Sequence, residues 1–187
     1  MADINSGLLS RHRALVDQRS DSAAPADAKP QLMALVELLF FAYRDFTREA
    51  DAILAEFGLG RAHHRVLHFV NRNPGLRVAD LLDILKITKQ SLARVLKQLV
   101  DEGWIAQMAG ESDRRQRLLY ATEKGVALSS RLDAVQMRRI AQALSAIGTD
   151  QQAEVSRFLF AMVAKEERVM VDMLLPEPVR MAAAARK

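Results

Sequence analysis

The sequence contains no cysteine, and that absence removes several classes of protein at once. A disulfide scaffold, a thiolate zinc site, an iron–sulfur cluster and a cysteine-based redox switch all need thiols. A reducing, intracellular setting fits a chain without them. Long hydrophobic runs are missing too. The longest apolar stretch, Leu32 to Tyr43, contains Glu37 and is too short to span a bilayer. At the N-terminus Arg11, His12 and Arg13 follow Leu8 and Leu9 directly, so the hydrophobic stretch of a secretory signal is absent. Neither a glycine-rich phosphate loop nor a Gly-x-Ser-x-Gly elbow occurs. The expectation is a soluble cytoplasmic protein.

The 187 residues suit one domain or two small ones, and half of them are apolar. The net charge of +4 is small, but it is unevenly placed. Residues 1–30 are neutral overall and residues 31–60 carry −3, whereas residues 61–120 carry +5 and hold three of the four histidines. Concentrated positive charge attracts polyanions, because neutralised phosphates release counterions. A solvated basic face is the alternative reading of the same charge.

Residues 1–30 end in a stretch of Ser, Ala, Asp and Pro without periodicity, read as a flexible arm with a short helix around Leu8 to Val16. From Gln31 the pattern is helical: Leu32, Leu35, Val36, Leu39, Phe40, Tyr43 and Phe46 recur at three- and four-residue steps until Gly58 and Gly60. A second helix fits Ala62 to Val70, and a third Val78 to Leu85. A fourth starts after Thr88, with Leu92, Val95, Leu96, Leu99 and Val100 on its inner face and Gly103 as its stop. Trp104 to Met108 and Gln116 to Ala121 flank a turn-prone insert and predict a β-hairpin. Thr122 then caps a long helix to about Ala146. After Gly148, the run Thr149-Asp150-Gln151-Gln152 has the capping-box form for a last helix ending before Pro176. The tail, Met181 to Lys187, is expected to fray. Short helices followed by a hairpin are the plan of a winged helix-turn-helix: a mainly α fold with a small β-hairpin wing, with two long helices outside it that need something else to bury against.

The fourth helix carries Lys89, Gln90, Ala93, Arg94 and Lys97 opposite its leucines, with no acidic residue until Asp101. Side chains near the N-terminus of such a helix reach base edges when it enters the major groove. Gln pairs with adenine and Arg or Lys with guanine, while Lys97, further along, suits phosphate. An ordinary amphipathic helix with a polar outer face is the bland alternative. At the hairpin tip stand Arg114 and Arg115, with Arg117 just beyond and Asp113 beside them. An arginine on a projecting tip suits the narrow minor groove, and a carboxylate two residues away could hold its guanidinium in one direction. The alternative is a surface turn with a weak local ion pair.

The stretches Val78 to Leu82, Thr88 to Ile105 and Asp113 to Gly125 resemble the MarR-type transcriptional regulators. The last of them is similar to that family's Asp-x-Arg wing, followed by a threonine-capped helix with glycine three residues on. The helical plan matches from about residue 31 to 174. The resemblance implies a homodimer with intertwined first and last helices, which would cover the apolar stripe from Val155 to Met173. It implies two recognition helices roughly 34 Å apart, reading an inverted repeat in double-stranded DNA. Lys89, Gln90 and Arg94 would meet base edges, and Arg115, oriented by Asp113, would enter the minor groove. Thr88, Ser91, Lys97, Arg114 and Arg117 complete the expected DNA-facing set. Arg77 departs from the family's usual Ser or Thr cap and would contact phosphate instead. The implied organisation is an arm (1–30), a dimerising first helix (31–60), a DNA-binding domain (61–121), dimerising long helices (122–175) and a flexible tail (176–187).

Family members respond to small molecules, frequently phenolic or anionic. Tyr43, Phe46, His63 and His64 would line such an effector pocket, with histidine donating to a carboxylate or phenolate. Core packing is the competing reading for the same residues. The oxidation-sensing branch of the family is excluded by the missing thiol. An enzyme reading rests on His64-Arg65-Val66-Leu67-His68, two imidazoles four apart that could bind zinc or haem. A zinc hydrolase wants Glu after the first histidine; Arg65 stands there, and no third ligand follows at convincing spacing. No enzyme and no cofactor are therefore expected. The expected function is a dimeric, sequence-specific, effector-modulated repressor, with an architectural or protein-interaction module and a histidine-based metal or haem sensor as the alternatives.

Overall fold

Leucine spacing decides where the core forms. The computed structural model describes residues 28–110 and 113–176, so the helix expected at Leu8 to Val16 and the tail from residue 177 lie outside the described residues. The chain forms two compact units, one ending at Arg44 and one beginning at Asp45.

Helix α1 (Lys29–Ala55) runs through that boundary. In the first unit its large apolar side chains are exposed all round the helix, among them Leu35, Leu38, Phe40 and Phe41. In the second unit its continuation buries Thr47, Ala50 and Leu54. Gly58, in the left-handed region at φ 65°, turns the chain out of α1, and the Leu59 N–H closes on the Leu54 carbonyl at 3.0 Å.

Helix α2 (Arg61–Arg72) follows and buries Val66, Leu67 and Val70. Helix α3 (Val78–Leu85) buries Leu81 and Leu85, and helix α4 (Lys89–Asp101) buries Leu92, Leu96 and Leu99. The buried residues, three each in α2 and α4 and two in α3, share one face of their helix, so each helix offers one apolar stripe to a shared interior. Gly103 at φ 75° ends α4 as expected. The hairpin forms from β2 (Ile105–Ala109) and β3 (Arg117–Ala121), with Gln107 opposite Leu119. A strand that the sequence reading missed, β1 (Leu76–Arg77), pairs antiparallel with β3 and gives the order β1-β3-β2. Two residues are too few for a period-two pattern to register.

Helix α5 (Glu123–Ile147) is capped as expected: the Thr122 hydroxyl accepts the Gly125 N–H at 3.1 Å. The expected single last helix is not found. A 3₁₀ turn at Thr149–Gln151 leads into α6 (Gln152–Met162), a second 3₁₀ turn spans Lys165–Glu167, and α7 (Arg168–Leu174) closes the described chain. The capping box does not form either, since Gln151 at the start of α6 makes no side-chain cap. The break has a physical cause. Ala164 to Arg168 offer no large apolar side chain to hold another helical turn against the protein, and Val163 and Ala164 are extended. Arg168 then donates to the freed carbonyls of Ala161 (2.7 Å) and Val163 (3.0 Å), satisfying the end of α6.

The junction between hairpin and α5 is tight. A Cβ at Gly125 would overlap the Trp104 backbone carbonyl. At an open helical site Gly→Ala gains about 1 kcal/mol. Here Gly125→Ala should instead cost roughly 1–3 kcal/mol through overpacking, read as a lower urea midpoint; a more stable variant would contradict this packing.

Candidate nucleic-acid interface

With its leucines buried, α4 must turn its other side outward. Lys89, Gln90, Ser91, Ala93, Arg94 and Lys97 are all exposed. The Thr88 hydroxyl accepts the Ser91 N–H at 3.1 Å and lies 2.9 Å from the Ser91 hydroxyl, so both residues serve the helix start. No acidic residue occupies the first turn, which leaves the positive end of the helix dipole beside Lys89. Lys97 forms an i,i+4 ion pair with Asp101, an exposed pair of small energetic weight.

The wing turns at its tip through hydrogen bonds from Gln116 N–H to Asp113 carbonyl (3.0 Å) and from Gly110 N–H to Gln116 carbonyl (3.1 Å). Arg114, Arg115 and Arg117 are exposed there. The Asp113 carboxylate accepts the backbone N–H of Arg115 at 2.9 Å. That corrects the expectation that it holds the guanidinium: an Asx-type turn claims the carboxylate first, so Asp113 orients the arginine through the backbone. Lys89, Arg94, Arg114, Arg115 and Arg117 make no ion pair among the described residues. Five uncommitted cations thus share α4 and the adjoining wing, and a cleft of about 740 Å³ between α3, α4 and the hairpin has Lys89, Lys97 and Arg117 among its lining residues.

Arg77 is exposed but engaged, donating to the Asp80 carboxylate at 2.7 Å; this pair holds the Arg77 charge on and lowers the Asp80 pKa. Sequence reasoning missed that partner, although the three-residue spacing ahead of a helix was a readable signal. It also missed the network behind the interface. Trp104, nearly buried, donates through Nε1 to Glu102 at 3.0 Å. Gln98 donates to the same carboxylate at 2.9 Å, and the two bonds, that from Trp104 foremost, lower the Glu102 pKa. Lys124 lies 3.7 Å above the Trp104 ring, donates to the Glu102 carbonyl at 2.8 Å, and so fastens α5 to the end of α4.

The four residues expected around an effector fare differently. Tyr43 is exposed on α1 and Phe46 is half-buried. His63 is already committed: its Nδ1 accepts the Gly60 N–H at 3.1 Å and its Nε2 lies 2.8 Å from the Gln98 amide oxygen. That pattern requires the proton on Nε2. His64 is half-buried, and burial, reinforced by His68, lowers its pKa. His68 faces Asp133 at 3.4 Å. Arg65, which stands where a zinc hydrolase needs Glu, donates to the Leu85 carbonyl at 3.2 Å and caps the end of α3. No group of three or more potential metal ligands occurs among the described residues, nor is any of their helices long and apolar enough to cross a membrane.

Three helices, a short third strand and an arginine-bearing hairpin define a winged helix-turn-helix DNA-binding protein. Residues 57–116 match the sequence profile of the MarR family. The chain is 44% identical over 144 residues to the HTH-type transcriptional regulator PetP of Rhodobacter capsulatus, covering 77% of this chain and 87% of that protein. It is 32% identical over 111 residues to the HTH-type transcriptional repressor Rv2887 of Mycobacterium tuberculosis, covering 59% of this chain and 80% of that one. The crystal structure of Rv2887 in complex with p-aminosalicylic acid superposes with a TM-score of 0.50 at 29% identity, covering 70% of this chain and 98% of that chain. A MarR mutant from E. coli complexed with operator DNA shares the fold at a TM-score of 0.56 and 20% identity, over 72% of this chain and 96% of that one. The chain belongs to the MarR family and is a DNA-binding transcriptional regulator, not an enzyme.

The lowered pKa of His64 has a consequence for stability. Below the ordinary imidazole value of about 6.5, the unfolded chain binds a proton that folded His64 resists. Its contribution to stability is therefore present above that pH and lost as pH falls toward the lower folded value. His64→Gln should shed part of this acid sensitivity, seen as a smaller drop in urea midpoint from pH 7.5 to 5; an identical drop would contradict it.

Proposed function

We propose that the protein acts in the cytoplasm as a homodimeric repressor that reads an inverted repeat, with a small molecule modulating its hold on DNA. The observation that carries the reading is the set of five cations on α4 and the wing without acidic partners. Lys89, Gln90 and Arg94 contact base edges, Lys97 and Arg114 contact phosphate, and Arg115 enters the minor groove. Thr88 and Ser91 set the start of the reading helix, Arg117 supports the wing, and Arg77 contributes charge while bound to Asp80.

Support for the dimer comes from apolar surface. Leu32, Leu35, Leu39 and Phe40 on α1 are exposed, as are Phe158, Leu159 and Met162 on α6. A helix that is apolar all round is a buried helix, and contiguous exposed apolar surface marks an interaction site. In this reading residues 31–60 and 122–175 form the dimerisation region and residues 61–121 the DNA-binding domain. The p-aminosalicylic acid complex of Rv2887 supports a small aromatic anion as effector.

Each of Arg94→Ala and Arg115→Ala should weaken binding to the DNA upstream of the gene by about 1–3 kcal/mol, measured by fluorescence anisotropy against an unrelated duplex competitor. Unchanged affinity in both variants, or no preference over the competitor, would favour an architectural module instead. Sedimentation equilibrium should give twice the chain mass.

A further inference from the structure

The turn between α3 and α4 holds a lysine where glycine is the easier choice. Lys86 ends α3 at φ 51° and ψ 45°, and among the described residues it is the one non-glycine at positive φ. A Cβ is crowded in that conformation and glycine has none. Glycine would therefore close this turn with less strain, and what lysine adds is its ammonium group. Its backbone does the ordinary work of a helix end, the N–H donating to the Leu82 carbonyl at 2.9 Å.

The ammonium stands beside the end of α4 that is proposed to enter DNA. Lys86 lies two residues before Thr88, the cap of α4, and lines a surface hollow of about 530 Å³ with Ile87 and Lys89. Ala79, Leu82 and Lys89 line both this hollow and the cleft between α3, α4 and the hairpin, so the two surfaces adjoin. When the first turn of a helix enters the major groove, the residues just before it come to the phosphates at the groove edge.

Lys86 pairs not with Asp83, which also lines the hollow, but with Glu167 at 3.1 Å. Glu167 ends the 3₁₀ turn that leads into α7. Two neighbouring cations have local partners, Arg77 with Asp80 and Lys97 with Asp101. Of these three, Lys86 alone takes its carboxylate from outside the helix-turn-helix. Both side chains keep solvent access, 57% for the lysine and 30% for the glutamate, and so exposed a pair is held weakly. The flexible stem of lysine lets its ammonium swing between acceptors, and a duplex offers a dense row of them.

We infer that Lys86 is a further DNA-contacting residue, paired with Glu167 in the free protein and transferred to a backbone phosphate on binding. Glu167 thus competes with DNA for one ammonium. It lowers affinity for every sequence alike, because phosphate contacts carry no base information. The exchange also unties α7 from the turn, so whatever holds that tie opposes DNA binding, and the reverse. The inference rests on the reading of α4 as the helix that meets DNA.

The test is a mutant cycle on the full chain, with affinity for the upstream duplex measured by fluorescence anisotropy across a salt series. Glu167→Gln removes the competing charge without touching the backbone of the turn, and should tighten binding roughly two- to fivefold. Lys86→Gly relieves the strained φ and should keep the native urea midpoint or exceed it. It should also weaken binding roughly threefold or more at low salt and flatten the plot of log affinity against log salt by about one unit. In the double variant the gain from Glu167→Gln should vanish, since no ammonium is left to release. Undiminished affinity and slope in Lys86→Gly, no tightening in Glu167→Gln, or a gain that survives in the double variant would each overturn the inference. Survival of the gain would make Glu167 a general repeller of DNA. Arg94→Ala tells two failures apart: if it weakens binding and Lys86→Gly does not, this inference alone falls; if neither does, the reading of α4 falls with it.

Discussion

The burial of one leucine stripe governs the rest of this molecule. Leu92, Leu96 and Leu99 leave between 0% and 7% of their surface exposed, and each such side chain contributes about 1.5–3 kcal/mol by leaving water. A helix held this firmly on one side has no rotational freedom left. Its other face, with Lys89, Gln90 and Arg94, is exported as a consequence of packing rather than of any contact those residues make. The cost of that arrangement is mutual repulsion among unpaired cations, which a polyanion relieves.

The wing depends on the same anchor through a different junction. The Trp104 carbonyl accepts both the backbone N–H (3.1 Å) and the hydroxyl (3.2 Å) of Thr122, while Gly125 passes too close for any side chain. Glu102 gathers Gln98 and Trp104, and Lys124 closes over the indole. These contacts set the angle between the end of α4, the hairpin and the start of α5. They fix how far the arginine tip stands from α4, a distance that local loop chemistry alone leaves free.

Much of this was legible in the sequence because it is local and periodic. The α4 stripe repeats at helical spacing between Thr88 and Gly103, and each boundary residue has a physical reason to stop or start a helix. The class of the protein followed from that stripe and the adjoining arginines. What escaped was non-local or very short. Strand β1 is two residues long and exists only because β3 is beside it. Asp113 was given the guanidinium of Arg115 when the nearer backbone N–H wins. The histidines were open to two readings, a sensing group or a satisfied polar junction, and His63 takes the second: it is bound to Gly60 and Gln98, the latter thirty-five positions away and announced by no local pattern. The last helix looked continuous because its apolar residues resume at Val169, and only the gap from Ala164 to Arg168 told otherwise.

Entry of α4 into the major groove is the point on which the regulatory account turns, and guanine N7 methylation probes that groove directly. Methylation interference on the upstream duplex should give two patches of interfering guanines, centred roughly 10 base pairs apart on one face of the helix. A single patch, or binding indifferent to N7 methylation, would contradict the account.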